Sequence, residues 1–337
     1  MIGTGGRRFS DGKKKKAFVG EFKEMLEDFI KQKRSLGYKY IVERDRLRRF
    51  SEYTVHCGSE HKFLSKELVS GWTAKRKNES VKTWLHRSSD LRQFALYLQS
   101  QGHEAFIPPK NHKVRRMEYI PYIFAHEEID CFFQAVDTIS PTSRSNSHEI
   151  YPLLFRLLYC CGFRISEICH LKISDVDFDI GVLFIRGSKF NRDRLVPVSI
   201  PLANMVIEYH ALFNKNIPSE NYFFRNKKGS SLTRDLVYKV YRQLLWKARI
   251  SHGGKGKGPR LHDFRHAFCV HTLANQVKGG VDLYVTLPIL SVYVGHNSVG
   301  ATQRYLRLTA EAYPYLIKKV SRTCAYVIPE EVQDETN

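Results

Sequence analysis

The chain has 337 residues, 42% of them hydrophobic, which is enough for about two domains with buried cores. Its 54 lysines and arginines against 34 acidic residues give a formal net charge of +20 and favour a polyanionic partner, nucleic acid first, although charge alone leaves a merely basic soluble protein open. Seven cysteines without a Cys-x-x-Cys pair indicate buried free thiols in a reducing cytosol rather than disulfides or a zinc site. No apolar leader or long uncharged apolar stretch is seen, which argues against secretion and membrane spanning.

The N-terminal part is predicted to be helical. Residues 1–16 end in four lysines and read as a disordered basic tail. Apolar residues recur at helical spacing in four stretches of residues 17–107, within 18–29, 41–50, 64–72 and 81–98, and Gly102 is a suitable stop for the last. These four helices form a small domain for which DNA contact is expected, although runs of charge are usually only solvated faces. Its predicted DNA-binding residues are Lys31, Lys33, Arg34, Arg44 and Arg48.

A basic linker is predicted at residues 108–121, because Pro108 and Pro109 stop a helix and polar residues follow. Lys113, Arg115 and Arg116 in this linker are further predicted DNA contacts.

The second domain, residues 122–325, is predicted to be mainly helical with a small β-sheet. Helices are expected at 126–136, 152–161, 232–248, after His262, at 299–308 and at 310–320, with Gly162 ending the second. Two β-type runs, 182–186 and 194–198, flank a basic loop and predict a hairpin. The acidic end, residues 326–337, is predicted to be a disordered tail.

Five side chains of the second domain suit phosphodiester cleavage by a side-chain oxygen. Arg164 and Arg265 are predicted to grip the phosphate, because a guanidinium stays charged and offers a planar fork of donors. His262 lies three residues before Arg265, on the same side of a helix N-terminus, where it could move a proton or donate to the phosphate. His296 is a further donor, and Tyr305 is the predicted nucleophile. Each of these residues taken alone is more often structural.

Two other residues complete the predicted site. Lys189 in the hairpin loop is a candidate acid for the leaving 5′-oxygen, against about even odds of an ordinary loop lysine. Glu167, three residues after Arg164, is predicted to orient a neighbouring side chain.

The order and spacing of these residues resemble the tyrosine recombinase (phage integrase) family. The motifs are Cys-Gly-Phe-Arg-Ile-Ser-Glu around Arg164, His-Asp-Phe-Arg from His262 to Arg265, and Gly-His-Asn-Ser at His296 before Tyr305. Lys189 also falls on the catalytic pattern, although Ser188-Lys189-Phe190-Asn191-Arg192 departs from the frequent Gly-Lys-Gly-Asn-Lys. The resemblance covers the second domain and extends loosely to the first, which looks like the family's core-binding domain.

This resemblance implies a site-specific recombinase, an integrase or transposase of a mobile element, acting through a 3′-phosphotyrosine. It implies an α+β catalytic domain, no metal or other cofactor, double-stranded DNA as partner and a tetrameric synapse of the chain in the cytoplasm at the nucleoid. Other recombinases or DNA-bending proteins are further possible partners. Two alternatives stay open: a type IB topoisomerase-like enzyme, which shares the chemistry without synapsis, and a catalytically silent DNA-binding protein, which would leave no covalent adduct.

Overall fold

The computed structural model describes residues 17–58, 63–110, 120–143, 145–187, 193–254, 258–296 and 299–312. These residues fall into two compact units, divided between residues 119 and 120. The predicted tails, most of the predicted linker, and most of the predicted helix 310–320 lie outside the described residues. The functional assignment of the domains therefore stays a prediction.

The first unit packs four helices around an aromatic core. They are α1 (Lys23–Ser35), α2 (Val42–His56), α3 (Lys66–Thr73) and α4 (Val81–Ser100), so the four predicted helices are confirmed. Ser65 and Ser80 cap α3 and α4 by accepting a backbone N–H from the first turn of each helix. The buried aromatic side chains are Phe18, Phe22, Phe29, Phe50, Trp72 and Phe94.

The second unit is helical with one small antiparallel sheet. Its first elements are α5 (His126–Asp137), α6 (Ser147–Cys160), α7 (Ile165–Cys169), a short 3-10 turn (Ile173–Asp175), β1 (Val176–Asp177), β2 (Val182–Ile185) and β3 (Arg194–Pro197). The helices α8 (Ile200–Phe213), α9 (Arg234–Lys247), α10 (Asp263–Lys278), α11 (Leu283–Val294) and α12 (Val299–Ala312) follow. β2 is the middle strand, with Leu183 opposite both Val176 and Val196. The predicted mainly helical fold with a small sheet and a hairpin is confirmed.

Three features of the second unit differ from the sequence predictions. The helices α7, α8 and α11 were not expected. α7 has only five residues, α8 and α11 each contain a proline, and α11 is apolar on most of its faces and so lacks a clear amphipathic period. The predicted break between 308 and 310 is wrong, because α12 continues to Ala312. The sheet also gains the short strand β1.

The cysteine prediction is correct only in part. The described cysteines are all free, but only Cys161, Cys169 and Cys269 are buried. Burial is wrong for the exposed Cys57, Cys131 and Cys160, which lie at a helix end or on an outward helix face.

α10 is the central helix of the second unit. It packs against α6, α11 and α12, and its buried side chains include Phe264, Ala267, Val270 and Leu273. Three helices therefore pack around α10. None of the helices in the described ranges is long and apolar enough to span a membrane.

Candidate active site

The two predicted phosphate-binding arginines meet at the C-terminal end of α11. The Arg164 Nη2 atom donates to the Gly295 carbonyl at 2.8 Å, and the Arg265 Nη2 atom donates to the Val294 carbonyl at 2.5 Å. Arg265 is 1% exposed, and its Nη1 atom donates to the Gly162 carbonyl at 2.7 Å. Both guanidinium groups are therefore anchored by adjacent backbone carbonyls, which fixes their planes before any ligand binds.

Glu167 links Arg164 to a third arginine, Arg194. Its Oε1 atom accepts from Arg164 Nη1 at 2.7 Å and from Arg194 Nη1 at 2.9 Å. Its Oε2 atom accepts from the Arg164 backbone N–H and from Arg194 Nη2, both at 2.9 Å. The carboxylate pKa is lowered: burial alone would raise it, but the hydrogen bonds and charges of Arg194 and Arg164 outweigh burial. One carboxylate thus pairs with two guanidinium groups, and with Arg265 nearby the site keeps an excess of positive charge.

Arg194 was not identified from the sequence. It lies at the start of β3, only 7% of its side chain is exposed, and its Nε atom donates to the Tyr293 carbonyl at 2.9 Å. A Cβ on Gly295, where φ is +67°, would lie 2.9 Å from Arg194 Nη1. Arg194 therefore holds β3, α7 and the end of α11 together beneath Arg164. A basic residue after a hairpin loop is too common a signal to single it out.

The predicted histidines flank the arginine pair. His262 occupies the N-cap position of α10 and is exposed. His296 follows the left-handed Gly295 and bonds the Thr302 hydroxyl through Nδ1 at 2.8 Å. Loss of hydration and the charges of Arg265 and Arg164 lower the pKa of His262 to about 4 and that of His296 to about 3. Both imidazoles are therefore neutral in the free protein, with one N–H each to offer.

Tyr305, the predicted nucleophile, lies in the same cluster. It is 1% exposed on α12, and its ring stacks on the His296 ring with centroids 5.8 Å apart and planes 11° apart. Burial and the nearby Cys269 thiol raise the pKa of the Tyr305 hydroxyl, although Arg265 and Arg304 oppose the rise. The phenol oxygen is also 2.8 Å from Nδ1 of His266. The structure therefore brings Arg164, Glu167, His262, Arg265, His296 and Tyr305 together.

Two residues, Lys189 and His266, differ from the rest of the site in how they were predicted or placed. Lys189 lies outside the described residues, so its place relative to the arginines is not defined. His266 was not singled out from the sequence; the available signal was its spacing of four residues from His262, which places both on one helix face. Within the described ranges, no group of three or more His, Cys, Asp or Glu side chains is placed to hold a metal ion.

The predicted DNA-binding residues of the first unit do not form one surface. Lys31, Arg34 and Arg44 line one groove beside Phe18, whereas Arg48 pairs with Asp45 and Glu52 of its own helix. Lys33 lies near the Phe29 ring and bonds Gln93 weakly, at 3.4 Å. Lys113, Arg115 and Arg116 lie outside the described residues.

Comparison with known proteins identifies the family of the chain. Residues 123–312, more than half of the chain, match the sequence model of the phage integrase family. The chain belongs to the phage integrase family. Its activity is accordingly site-specific recombination, carried out by a DNA strand transferase, and the expectation drawn from the motifs is confirmed.

Relatives of this family match between about half and nine-tenths of the chain. It is 28% identical to the putative integrase/recombinase y4rB of Sinorhizobium fredii, over 90% of this chain and 98% of that protein. It is 32% identical to the tyrosine recombinase XerA of Pyrococcus furiosus, over 47% of this chain and 50% of that protein. Its fold resembles that of the Tn1549 transposon integrase solved with transposon right end DNA, with a TM-score of 0.58 at 16% identity, covering 86% of this chain and 99% of that one.

Proposed function

We propose that Tyr305 is the nucleophile of this phage integrase family member and forms a 3′-phosphotyrosine with one strand of duplex DNA. The Tyr305 oxygen attacks the phosphorus, and the 5′-oxygen leaves with a proton, for which Lys189 is the proposed donor. The observation that carries the proposal is the clustering of the Tyr305 hydroxyl with two anchored arginines in one chain. Because the phosphodiester energy is kept in the covalent link, rejoining requires no cofactor.

The charges of the site support this assignment. Arg164 and Arg265 are held rigidly enough to receive a phosphate, and they would stabilise the charge that builds on its oxygens during attack. His262 and His296 each offer an N–H without adding a fixed charge. Glu167 holds Arg164 in place through two hydrogen bonds. The excess positive charge and the free N–H donors together favour binding of a phosphate anion.

The test is an adduct assay on a nicked duplex made from the ends of the proposed mobile element. The wild-type chain and Tyr284→Phe, which alters a 78% exposed tyrosine on α11, should both give a protein–DNA band on a denaturing gel. Tyr305→Phe should keep DNA affinity and give no adduct, because only the attacking hydroxyl is lost. An adduct formed by Tyr305→Phe would contradict the assignment. Wild-type binding without an adduct would favour the catalytically silent alternative.

The arginine clamp can be tested separately. Arg164→Ala should lower the cleavage rate on the order of a hundredfold through lost charge stabilisation. The fold should tolerate the change, since Glu167 keeps its paired hydrogen bonds to Arg194. An unchanged rate in single-turnover cleavage would remove Arg164 from the proposed site.

We further propose that the chain acts as a homo-oligomer on DNA, with a tetramer bringing two sites together. An apolar stripe on one side of α11 supports this: Val285, Ile289 and Val292 are 57, 64 and 73% exposed. Ile289→Glu should keep binding to a single site and weaken assembly on two-site DNA, as read by sedimentation. Exchange between two sites separates a recombinase from a topoisomerase-like enzyme.

The first unit is proposed to be the core-binding domain, with Lys31, Arg34 and Arg44 facing the DNA backbone at the nucleoid. Their common groove supports this, whereas the intrahelical ion pairs of Arg48 make it a weaker candidate. Arg34→Ala should reduce affinity for any DNA sequence and flatten its salt dependence, because one phosphate contact is lost. The proposed contacts of Lys33 and of Lys113, Arg115 and Arg116 in the linker are open to the same test.

A further inference from the structure

His266 is a buried polar side chain directly beside the proposed nucleophile. It is 5% exposed, and its Nδ1 atom lies 2.8 Å from the Tyr305 hydroxyl oxygen. The ring of His266 also meets the His262 ring edge to face, with centroids 4.8 Å apart. Since His262 is exposed, the pair runs from the buried phenol to the surface of the site.

The other described groups beside the phenol are poor proton acceptors. Arg304 is cationic and has no acceptor atom. Burial raises the pKa of the Cys269 thiol to about 12, so it is neutral and only a weak acceptor. His296 lies parallel to the Tyr305 ring, and its Nδ1 atom is engaged with Thr302. His266 is thus the acceptor best placed for the phenol proton.

We propose that His266 is a catalytic residue that accepts the Tyr305 proton on Nδ1 during strand cleavage, an inference that rests on the proposed nucleophile. The Tyr305 Oη–phosphorus bond forms as the bond from phosphorus to the 5′-oxygen breaks. The phenol proton moves to His266, and the 5′-oxygen takes a proton from the leaving-group acid and becomes a hydroxyl. In rejoining, the 5′-hydroxyl attacks and His266 returns its proton to the departing phenolate.

The electrostatics of the cluster explain why this transfer would wait for DNA. Burial and the neighbouring groups His262, Arg304, Arg265 and His296 lower the pKa of His266 to about 3. In the free protein, therefore, the imidazole is neutral and the phenol keeps its proton. A phosphodiester bound by the arginines brings negative charge that offsets the charges of Arg265 and Arg304 and raises the proton affinity of His266.

The experiment compares His266→Asn with a matched variant of the same helix. The Asn amide can still accept a hydrogen bond from Tyr305 but cannot take up its proton. His271→Asn is the control, because His271 is also buried on α10 and its Nδ1 atom lies 2.8 Å from another tyrosine hydroxyl, that of Tyr159. Cleavage is measured in single turnover on the nicked duplex from about pH 6 to about pH 9, beside binding and thermal unfolding.

The expected result is a rate for His266→Asn roughly 100-fold or more below that of His271→Asn at neutral pH. The His266→Asn rate should rise about tenfold per pH unit, since solvent base must then remove the phenol proton, while the wild-type rate levels off. A substrate with a 5′-thiolate leaving group, which needs no acid, should not restore the cleavage rate of His266→Asn.

Two outcomes would overturn the proposal. One is a His266→Asn rate and pH profile matching those of His271→Asn. The other needs no variant: a wild-type rate that climbs about tenfold per pH unit over the whole range shows that no side chain acts as base. In both cases, Tyr305→Phe would still form no adduct, and the assignment of Tyr305 as nucleophile would be retained. Only an adduct that survives in Tyr305→Phe removes the nucleophile itself, so the two failures are distinguishable.

Discussion

Replacing Glu167 with glutamine tests the network that holds Arg164. Gln is nearly the same shape, but it has one carbonyl oxygen where Glu167 has two carboxylate oxygens. The two Glu167 oxygens accept four hydrogen bonds, two from Arg164 and two from Arg194. In Glu167→Gln, two of these bonds are lost, and an NH₂ group faces N–H donors.

The magnitude follows from those lost bonds. Each hydrogen bond to a charged group contributes about 1.5–3 kcal/mol, so two lost bonds cost about 3–6 kcal/mol. Removing one partner of a buried ion pair costs about 3–5 kcal/mol, which agrees with this range. The Arg194 side chain is only 7% exposed, so water cannot replace the carboxylate there. For a domain of this size, the melting temperature should fall by about 6–24 °C.

The assay is differential scanning calorimetry of the full chain beside Glu208→Gln, which changes an exposed carboxylate on α8. The control should stay within about 0.5 kcal/mol of the wild type. Calorimetry resolves the unfolding of the second unit even where the first unit melts separately. A loss below about 1 kcal/mol in Glu167→Gln would refute the account of a buried carboxylate shared by two arginines.

The same network predicts a pH dependence. The pKa of Glu167 is lowered in the folded chain, so its stabilisation is fully present above the unfolded value of about 4.3. It is lost as the pH falls through the lower folded pKa, because protonation removes the charge that both arginines contact. The stability difference between wild type and Glu167→Gln should therefore shrink below about pH 4. A difference that stayed constant at acid pH would contradict this assignment.

Two further substitutions test the backbone around the site and the first unit. Gly162→Ala should cost about 1–3 kcal/mol of unfolding free energy, because φ is +59° and the new Cβ would lie 2.6 Å from Phe268 Cδ1. Gly229→Ala, with φ +77° and nothing within 4 Å of the new Cβ, should cost only the backbone strain of about 1 kcal/mol; equal losses in urea unfolding would count against the Phe268 contact. Ser65→Ala should destabilise the first unit by about 1 kcal/mol through loss of the cap on the Leu68 N–H, and an unchanged melting temperature would show that the cap is dispensable.

Much of the fold was predictable because its signals are local. The helices α4, α6 and α9 each show apolar residues at helical spacing, and the β2–β3 hairpin shows β-type runs around a polar loop. α11 escaped the same reasoning, since it is apolar on faces that stay exposed and contains Pro288. Apolar periodicity reveals a helix whose buried face is apolar and whose exposed face is polar. α11 has apolar residues on both faces, so its sequence shows no such division.

The sequence by itself determined the family pattern: two arginines, two histidines and a tyrosine in a fixed order, on a strongly basic chain. Only the tertiary structure decided which groups support them. Arg194 reaches Glu167 across 27 residues, and His266 reaches Tyr305 across 39. Such contacts depend on how α7, β3, α10 and α12 pack, and no local spacing encodes them. The roles of a basic residue after a hairpin and of a second histidine on a helix become visible only when packing excludes water and brings each to its partners.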